Sequence, residues 1–62
     1  MPSEKALKTR QAIIESAFTI IHTEGFEALT MDHVAEKASL SKGALTYHFK
    51  NKHALHLALI ES

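Results

Sequence analysis

One predicted helix near the middle of the chain presents small, hydroxyl-bearing and cationic side chains on a single side. On a helical wheel turning about 100° per residue, Gly43, Thr46, Tyr47 and Lys50 lie opposite the apolar Leu45. This outward side has no acidic and no aliphatic side chain. A helix that enters the major groove of DNA needs small residues for close approach, hydroxyls for hydrogen bonds and cations for phosphates. The pattern therefore favours contact with a nucleic acid over simple solvation.

Several residues in and beside this helix are candidates for individual contacts. Lys42 suits the O6 and N7 acceptors of guanine, and we expect it to contact a base or a phosphate. Tyr47 lies opposite Leu45, so we expect a phosphate or thymine-methyl contact rather than a core position. Lys52 is expected in the first turn of a later helix, where a cation opposes the helix dipole unless a phosphate is near. His48 lies at the edge of the apolar side and is open to a structural role, a phosphate contact, or both.

Two short helices joined by a tight turn must position these side chains. Apolar residues follow helical spacing in two segments, Met31, Val34, Ala35 and Ala38 in the first and Leu45 and Phe49 in the second, with Leu40 between them. Thr30 and Ser41 suit N-caps, and Asp32 suits the positive end of the first of these helices. Only Ser39 and Leu40 remain for the turn, which forces a steep crossing next to the small Ala35. The spacing predicts a helix-turn-helix over residues 30–49.

A longer helix is predicted before this motif. Residues 1 to about 4 are expected to be disordered, and the helix then runs to about Glu24. Its predicted buried stripe consists of Ile13, Ile14, Ala17, Phe18, Ile20 and Ile21. Gly25 suits a left-handed C-cap, with Phe26 closing its hydrophobic contact. Residues 27–29 then form a short link to the motif.

A fourth helix is predicted from about residue 52, with Asn51 as its N-cap. Its apolar residues, Leu55, Leu57, Ala58, Leu59 and Ile60, cover more than half of the helical wheel, too much for contact with one small core. It reaches Ser62 without a stop signal. We expect that the chain is the amino-terminal part of a longer protein, or that another molecule covers this surface.

The composition bounds the protein to one small domain. It has 62 residues, no cysteine and a formal net charge of zero, which alone argues against general nucleic-acid affinity. However, residues 11–36 hold five acids and no Lys or Arg, whereas residues 37–60 hold four lysines and no acid. Two roles are equally compatible with the basic residues near the start of the chain, solubility and contact with phosphates. These residues are Lys5, Lys8 and Arg10. Without a targeting segment or an apolar run of membrane-spanning length, we expect a cytoplasmic protein that does not enter a membrane.

The sequence offers little for metal binding or catalysis. His53 and His56 are three residues apart and could face one ion, but an isolated histidine pair is a motif of low specificity, and no cysteine or HExxH element accompanies it. No serine lies in a nucleophile motif, and the chain has no glycine-rich phosphate loop. We therefore expect no metal, no cofactor and no enzymatic activity.

Residues 29–55, LTMDHVAEKASLSKGALTYHFKNKHAL, resemble the amino-terminal DNA-binding domain of the TetR family of bacterial transcriptional regulators. The most specific signal is the element Gly-x-Leu-x-x-His-Phe, residues 43–49, followed by Lys52 and Leu55. The resemblance implies an all-α fold, a three-helix homeodomain-like helix-turn-helix bundle plus the start of a fourth, linking helix. It also implies a ligand-binding and dimerising domain absent from this chain, and repression of a palindromic operator by a homodimer that a small-molecule effector releases.

The resemblance also implies which residues lie at or near DNA. With the N-cap Ser41 added, the predicted DNA-binding set is Thr30, Ser41, Lys42, Gly43, Ala44, Thr46, Tyr47, His48 and Lys52. Two positions depart from the family pattern. Ser39 stands where the turn often has glycine, so a left-handed conformation there costs about 1 kcal/mol. Thr46 stands where the family usually has tyrosine, which leaves a shorter hydroxyl for the phosphate contact.

One alternative from another functional class is retained. The zero net charge and the threonine at position 46 are compatible with a helical protein-interaction module that has lost DNA reading. In such a module the apolar fourth helix would dock on a partner protein.

Overall fold

The computed structural model describes residues 3–61, and every regular element in that range is helical. Four α-helices follow in order, α1 Glu4–Glu24, α2 Met31–Lys37, α3 Lys42–His48 and α4 Lys52–Glu61, with a 3-10 turn Phe26–Ala28 between the first two. This confirms the predicted all-α fold. None of the helices in residues 3–61 has the length and apolar character needed to cross a membrane.

Helix α1 begins earlier than the sequence pattern predicts. The Ser3 hydroxyl accepts a hydrogen bond from the Ala6 N–H at 3.1 Å, and Glu4 already has helical geometry. The expectation of disorder up to about residue 4 was therefore wrong for these two residues, because a serine N-cap with an acid in the first turn stabilises a helix start. Residues 1 and 2, also expected to be disordered, lie outside the described residues.

The buried stripe of α1 is narrower than predicted. Ile13, Ile14, Ala17 and Ile20 are buried, and Ile21 packs partly buried against them. Phe18, predicted to be in the core, is 44% exposed. The prediction failed for Phe18 because the neighbouring helices are short and cover only the face of α1 on which the four buried residues lie.

Gly25 ends α1 with the predicted positive φ of 94°, and its N–H donates to the Ile21 carbonyl at 3.0 Å. Its ψ of 159° is extended, so the chain leaves the helix directly into the 3-10 turn. The Phe26 ring reaches α4, where its centroid lies 5.1 Å from that of His56 and 5.7 Å from the Lys52 ammonium. Phe26 thus links the end of α1 to α4.

The helix-turn-helix has the predicted limits and turn. Ser39 has a φ of 58°, and the Leu40 N–H donates to the Ala35 carbonyl at 2.8 Å. Ala35 is only 5% exposed, so its small side chain is enclosed in the core. The shared core also contains Leu29, Val34, Leu45, Phe49, Leu55, Ala58 and Leu59.

Helix α4 begins as predicted, with the Asn51 side-chain oxygen accepting from the Ala54 N–H at 2.9 Å. Leu55, Ala58 and Leu59 are buried, whereas Leu57 and Ile60 are 46% and 68% exposed. The core of residues 3–61 therefore uses one side of α4 and leaves apolar groups on another.

Candidate nucleic-acid interface

Helix α3 is anchored in the core by one side, and local hydrogen bonds define both of its ends. Leu45 is fully buried and Phe49, which follows the helix, is 4% exposed. At the start, the Ser41 hydroxyl accepts from the Ala44 N–H at 3.1 Å. At the end, the Phe49 N–H donates to the Leu45 carbonyl at 2.9 Å. The orientation of the opposite side is therefore set by the core.

That opposite side is exposed, as the sequence pattern predicts. Lys42, Gly43, Thr46 and Tyr47 are all exposed, and Tyr47 is exposed to 83%. Apart from Gly43 itself, its two chain neighbours and the adjacent backbone of α3, no atom lies within 4 Å of where a Cβ on Gly43 would stand. The α3 backbone is therefore open to close approach there. These side chains point away from the core and are available to a partner.

Polar groups on α3 are partly engaged within the helix. The Thr46 hydroxyl donates to the Gly43 carbonyl at 3.1 Å, which leaves its oxygen lone pairs as acceptors. The Tyr47 and His48 rings meet edge to face with centroids 5.2 Å apart. His48 and Ala44 are half-buried, so His48 lies at the core edge, as expected.

Two further predicted site residues, Thr30 and Lys52, lie at the starts of α2 and α4. Thr30 is the N-cap of α2, and its hydroxyl oxygen accepts from the His33 N–H at 3.1 Å. Lys52 is exposed in the first turn of α4, with its ammonium 5.7 Å from the centroid of the Phe26 ring. The structure thus provides an aromatic partner for Lys52 where the sequence suggested only a phosphate.

An ion pair joins the first turns of α2 and α3, and sequence reasoning missed it. The Lys42 ammonium lies 3.2 Å from an Asp32 carboxylate oxygen. Asp32 was interpreted only through the dipole of α2, and the outward side of α3 was described as free of acids. That description holds for α3 itself, but the short turn brings an acid from α2 to Lys42. The only sequence signal was the opposite charge of two helix-start residues.

The basic residues near the start of the chain belong to α1. The Lys8 ammonium lies 3.7 Å from a Glu4 carboxylate oxygen, and both side chains are largely exposed. The Arg10 guanidinium carbon lies 5.3 Å from the centroid of the Phe49 ring. Arg10 is therefore next to the end of α3.

A second polar pair links α1 to α2. His33 Nε2 and a Glu24 carboxylate oxygen are 2.9 Å apart, and both side chains are partly exposed. This hydrogen bond lowers the pKa of Glu24 below its ordinary value, with smaller contributions from the nearby charges of His33 and Lys37. The pair holds the start of α2 against the end of α1, next to Thr30.

One of the two histidines of α4 packs against an aromatic ring. The His56 ring is tilted against Phe26 at a centroid distance of 5.1 Å. Within residues 3–61, no group of three or more His, Cys, Asp or Glu side chains is arranged to hold a metal ion.

Comparison with known sequences gives one consistent match. The family profile described as "Bacterial regulatory proteins, tetR family" covers residues 13–59. The HTH-type transcriptional regulator TtgR of Pseudomonas putida is 39% identical over 59 residues, which are 95% of this chain and 28% of that protein. The tetracycline repressor protein class C of Escherichia coli is 42% identical over 53 residues, 86% of this chain and 24% of that protein.

A third relative is named as an operon repressor. The probable acrEF/envCD operon repressor of Escherichia coli is 40% identical over 48 residues, 77% of this chain and 22% of that protein. The chain thus spans about a quarter of the length of these curated relatives. No solved structure matches the chain significantly.

Proposed function

Since the chain belongs to the TetR family of bacterial regulatory proteins and is a DNA-binding domain of a transcriptional regulator, we propose that α3 enters the major groove of a specific operator and that binding represses transcription. Two of the three relatives described above are named as repressors. None of them is named as a protein-interaction module. Repression is therefore the direction of regulation that we assign to this chain.

The observation that carries this proposal is the exposed side of α3. Lys42, Gly43, Thr46 and Tyr47 stand clear of the core, while Leu45 anchors the helix from behind. The open space above Gly43 suits the close approach of a helix to base edges. In this arrangement Lys42 and Tyr47 contact bases or phosphates. Thr46 contacts a phosphate when its hydroxyl turns from the Gly43 carbonyl and donates to a phosphate oxygen instead.

The remaining predicted residues have supporting roles in the proposal. Thr30 and Ser41 are exposed helix N-caps, and hydroxyls at such positions commonly contact phosphates. Ala44 permits close approach, His48 donates to a phosphate from the core edge, and Lys52 supplies a cation beside the groove. Contacts of this kind position a protein on the duplex, whereas contacts to base edges determine the sequence that it recognises.

The proposal extends to the whole regulator. The relatives are about three and a half times as long as this chain, which leaves room for a second domain that dimerises and binds a small-molecule effector. Two copies related by two-fold symmetry would recognise a palindrome with half-site centres about 34 Å apart or a multiple of that spacing. Such a regulator acts in the cytoplasm, where bacterial DNA lies, by binding rather than by catalysis.

Selection of bound duplexes from a random pool, with the native full-length protein, tests the proposal. We expect recovery of a palindrome, and strong loss of retention in the double variant Lys42→Ala, Tyr47→Ala. Lys37→Ala is the matched control, because Lys37 is an exposed lysine at the far end of α2. If the wild-type protein retains no duplex, or the double variant selects the same palindrome with unchanged affinity, the proposed interface is wrong.

The salt dependence of the affinity gives a second test. Each phosphate neutralised by a lysine contributes roughly −0.9 to the slope of log affinity against log salt, so three contacts per copy predict a slope of about −3. A slope near zero would remove the electrostatic part of the proposal.

A further inference from the structure

The ion pair between Lys42 and Asp32 places an acid on the surface assigned to DNA. The ammonium and carboxylate are 3.2 Å apart, and the two side chains are 65% and 77% exposed. We infer that Asp32 is a specificity-determining residue, which acts with Lys42 as one unit that recognises a G·C base pair. This inference rests on the proposed function, because it concerns the same surface.

Stability does not account for the pair. An ion pair between two exposed side chains contributes little to folding, because water screens the attraction and both side chains lose rotamer freedom. Asp32 also has a local role in the first turn of α2, but that role does not need Lys42. What the pair does change is the charge that α3 offers to DNA.

The carboxylate weakens attraction to any phosphate backbone. Free lysines bind phosphates without regard to sequence, whereas an ammonium held by an acid presents little net charge at long range. Asp32 therefore lowers the affinity for non-specific duplex. To bind tightly at this position, a duplex must therefore present hydrogen-bonding groups other than phosphates that compensate for the repulsion by the Asp32 carboxylate.

A G·C pair offers the complementary groups. In the major groove, guanine presents the O6 and N7 acceptors, and cytosine presents an N4 amino donor beside them. The Lys42 ammonium can donate to guanine while the Asp32 carboxylate accepts from cytosine. In an A·T pair, the adenine N6 amino group takes the place of guanine O6. Two hydrogen-bond donors, this amino group and the Lys42 ammonium, would then face each other. The pair thus distinguishes base pairs by the order of donor and acceptor.

The first experiment compares Asp32→Asn with the wild type in the native full-length protein. Affinities are measured for the selected operator and for an unrelated duplex. We expect Asp32→Asn to bind the unrelated duplex several-fold more tightly, with a salt slope steeper by about 0.9. We also expect the ratio of specific to non-specific affinity to fall roughly ten-fold or more, the usual range for one base-pair contact.

Glu15→Gln is the charge-matched control, because Glu15 is an exposed acid in the middle of α1. It should shift both affinities together and leave their ratio unchanged. If Asp32→Asn behaves like Glu15→Gln, Asp32 is a surface charge without a recognition role. If the wild-type protein retains no duplex, the proposed function is wrong and the inference falls with it, which is a different result from equal behaviour of the two variants.

A second variant keeps the charge and the pair but exchanges their places, Asp32→Lys with Lys42→Asp. Circular dichroism and thermal unfolding check that it folds. We expect selection from a random pool to change the preferred base pair at one position in each half-site and to leave the other positions unchanged. Recovery of the wild-type sequence at every position would overturn the inference. A pair with only a structural role would leave the selected sequence unchanged whichever of the two positions carries the acid.

Discussion

The Arg10 guanidinium carbon lies 5.3 Å from the centroid of the Phe49 ring. Phe49 is the C-cap of α3 and is 4% exposed, whereas Arg10 lies in the first half of α1. The contact therefore ties the start of the longest helix to the end of the helix that carries the candidate interface. The sequence suggested either solubility or phosphate contact for Arg10, and the structure adds a packing contact with Phe49.

Replacement of Arg10 by alanine should destabilise the domain. A cation over an aromatic ring at an exposed site contributes about 0.5–1 kcal/mol, and we expect the free energy of unfolding to fall by that amount. Urea denaturation provides the measurement, with Lys5→Ala as control, since Lys5 is an exposed cation on the same helix. Equal effects of the two substitutions would show that the charge, and not the contact with Phe49, matters.

The Glu24–His33 pair predicts a particular pH dependence of stability. The hydrogen bond from His33 lowers the Glu24 pKa in the folded state, so the pair stabilises the fold above the ordinary glutamate pKa of about 4.3. This contribution is lost as the pH falls through the lowered folded-state pKa. Between about pH 6 and pH 3, the stability difference between wild type and Glu24→Gln should shrink. Parallel stability curves would contradict the prediction, and Glu15→Gln serves as control.

Glycine at position 39 should stabilise the turn. Ser39 has a φ of 58°, a conformation that disfavours residues with a Cβ by about 1 kcal/mol and that glycine adopts readily. Because glycine also gains freedom in the unfolded chain, we expect a net increase of roughly 0.5 kcal/mol in the free energy of unfolding. Lys37→Gly, in the last turn of α2, should instead lower it by about 1 kcal/mol. A loss of stability in Ser39→Gly would show that the serine side chain has a role of its own.

Truncation of Leu45 should unfold most of the domain. Leu45 is fully buried, and replacement of such a leucine by alanine costs about 2–5 kcal/mol, a large part of the stability of a domain of this size. The matched control is Leu57→Ala on α4, where the side chain is 46% exposed and the effect should be about 0.5 kcal/mol or less. Circular dichroism during thermal unfolding compares the two. A folded Leu45→Ala variant with an unchanged melting temperature would contradict the observed core.

Local features of this fold could be predicted from the sequence because short-range interactions produce them. The N-caps Thr30, Ser41 and Asn51 bond to backbone groups three residues away. The positive φ of Gly25 follows from how the chain leaves a helix, whereas the positive φ of Ser39 was expected only from the resemblance to the TetR family. The exposed side of α3 follows from helical periodicity. In each case the partners are close along the chain, so their residue types and spacing contain the information.

What only the tertiary structure decided are the contacts between helices. Lys42 meets Asp32, Arg10 meets Phe49 and His33 meets Glu24, and each pair joins residues at least nine positions apart in sequence. Phe18 follows the helical pattern of the core yet remains exposed. Periodicity specifies which side of a helix turns inward, but the crossing angle and length of the neighbouring helices determine how much of that side is covered. They also determine which charged side chains form pairs, because a side chain on one helix can contact only those residues of the next helix that lie close to it at the crossing.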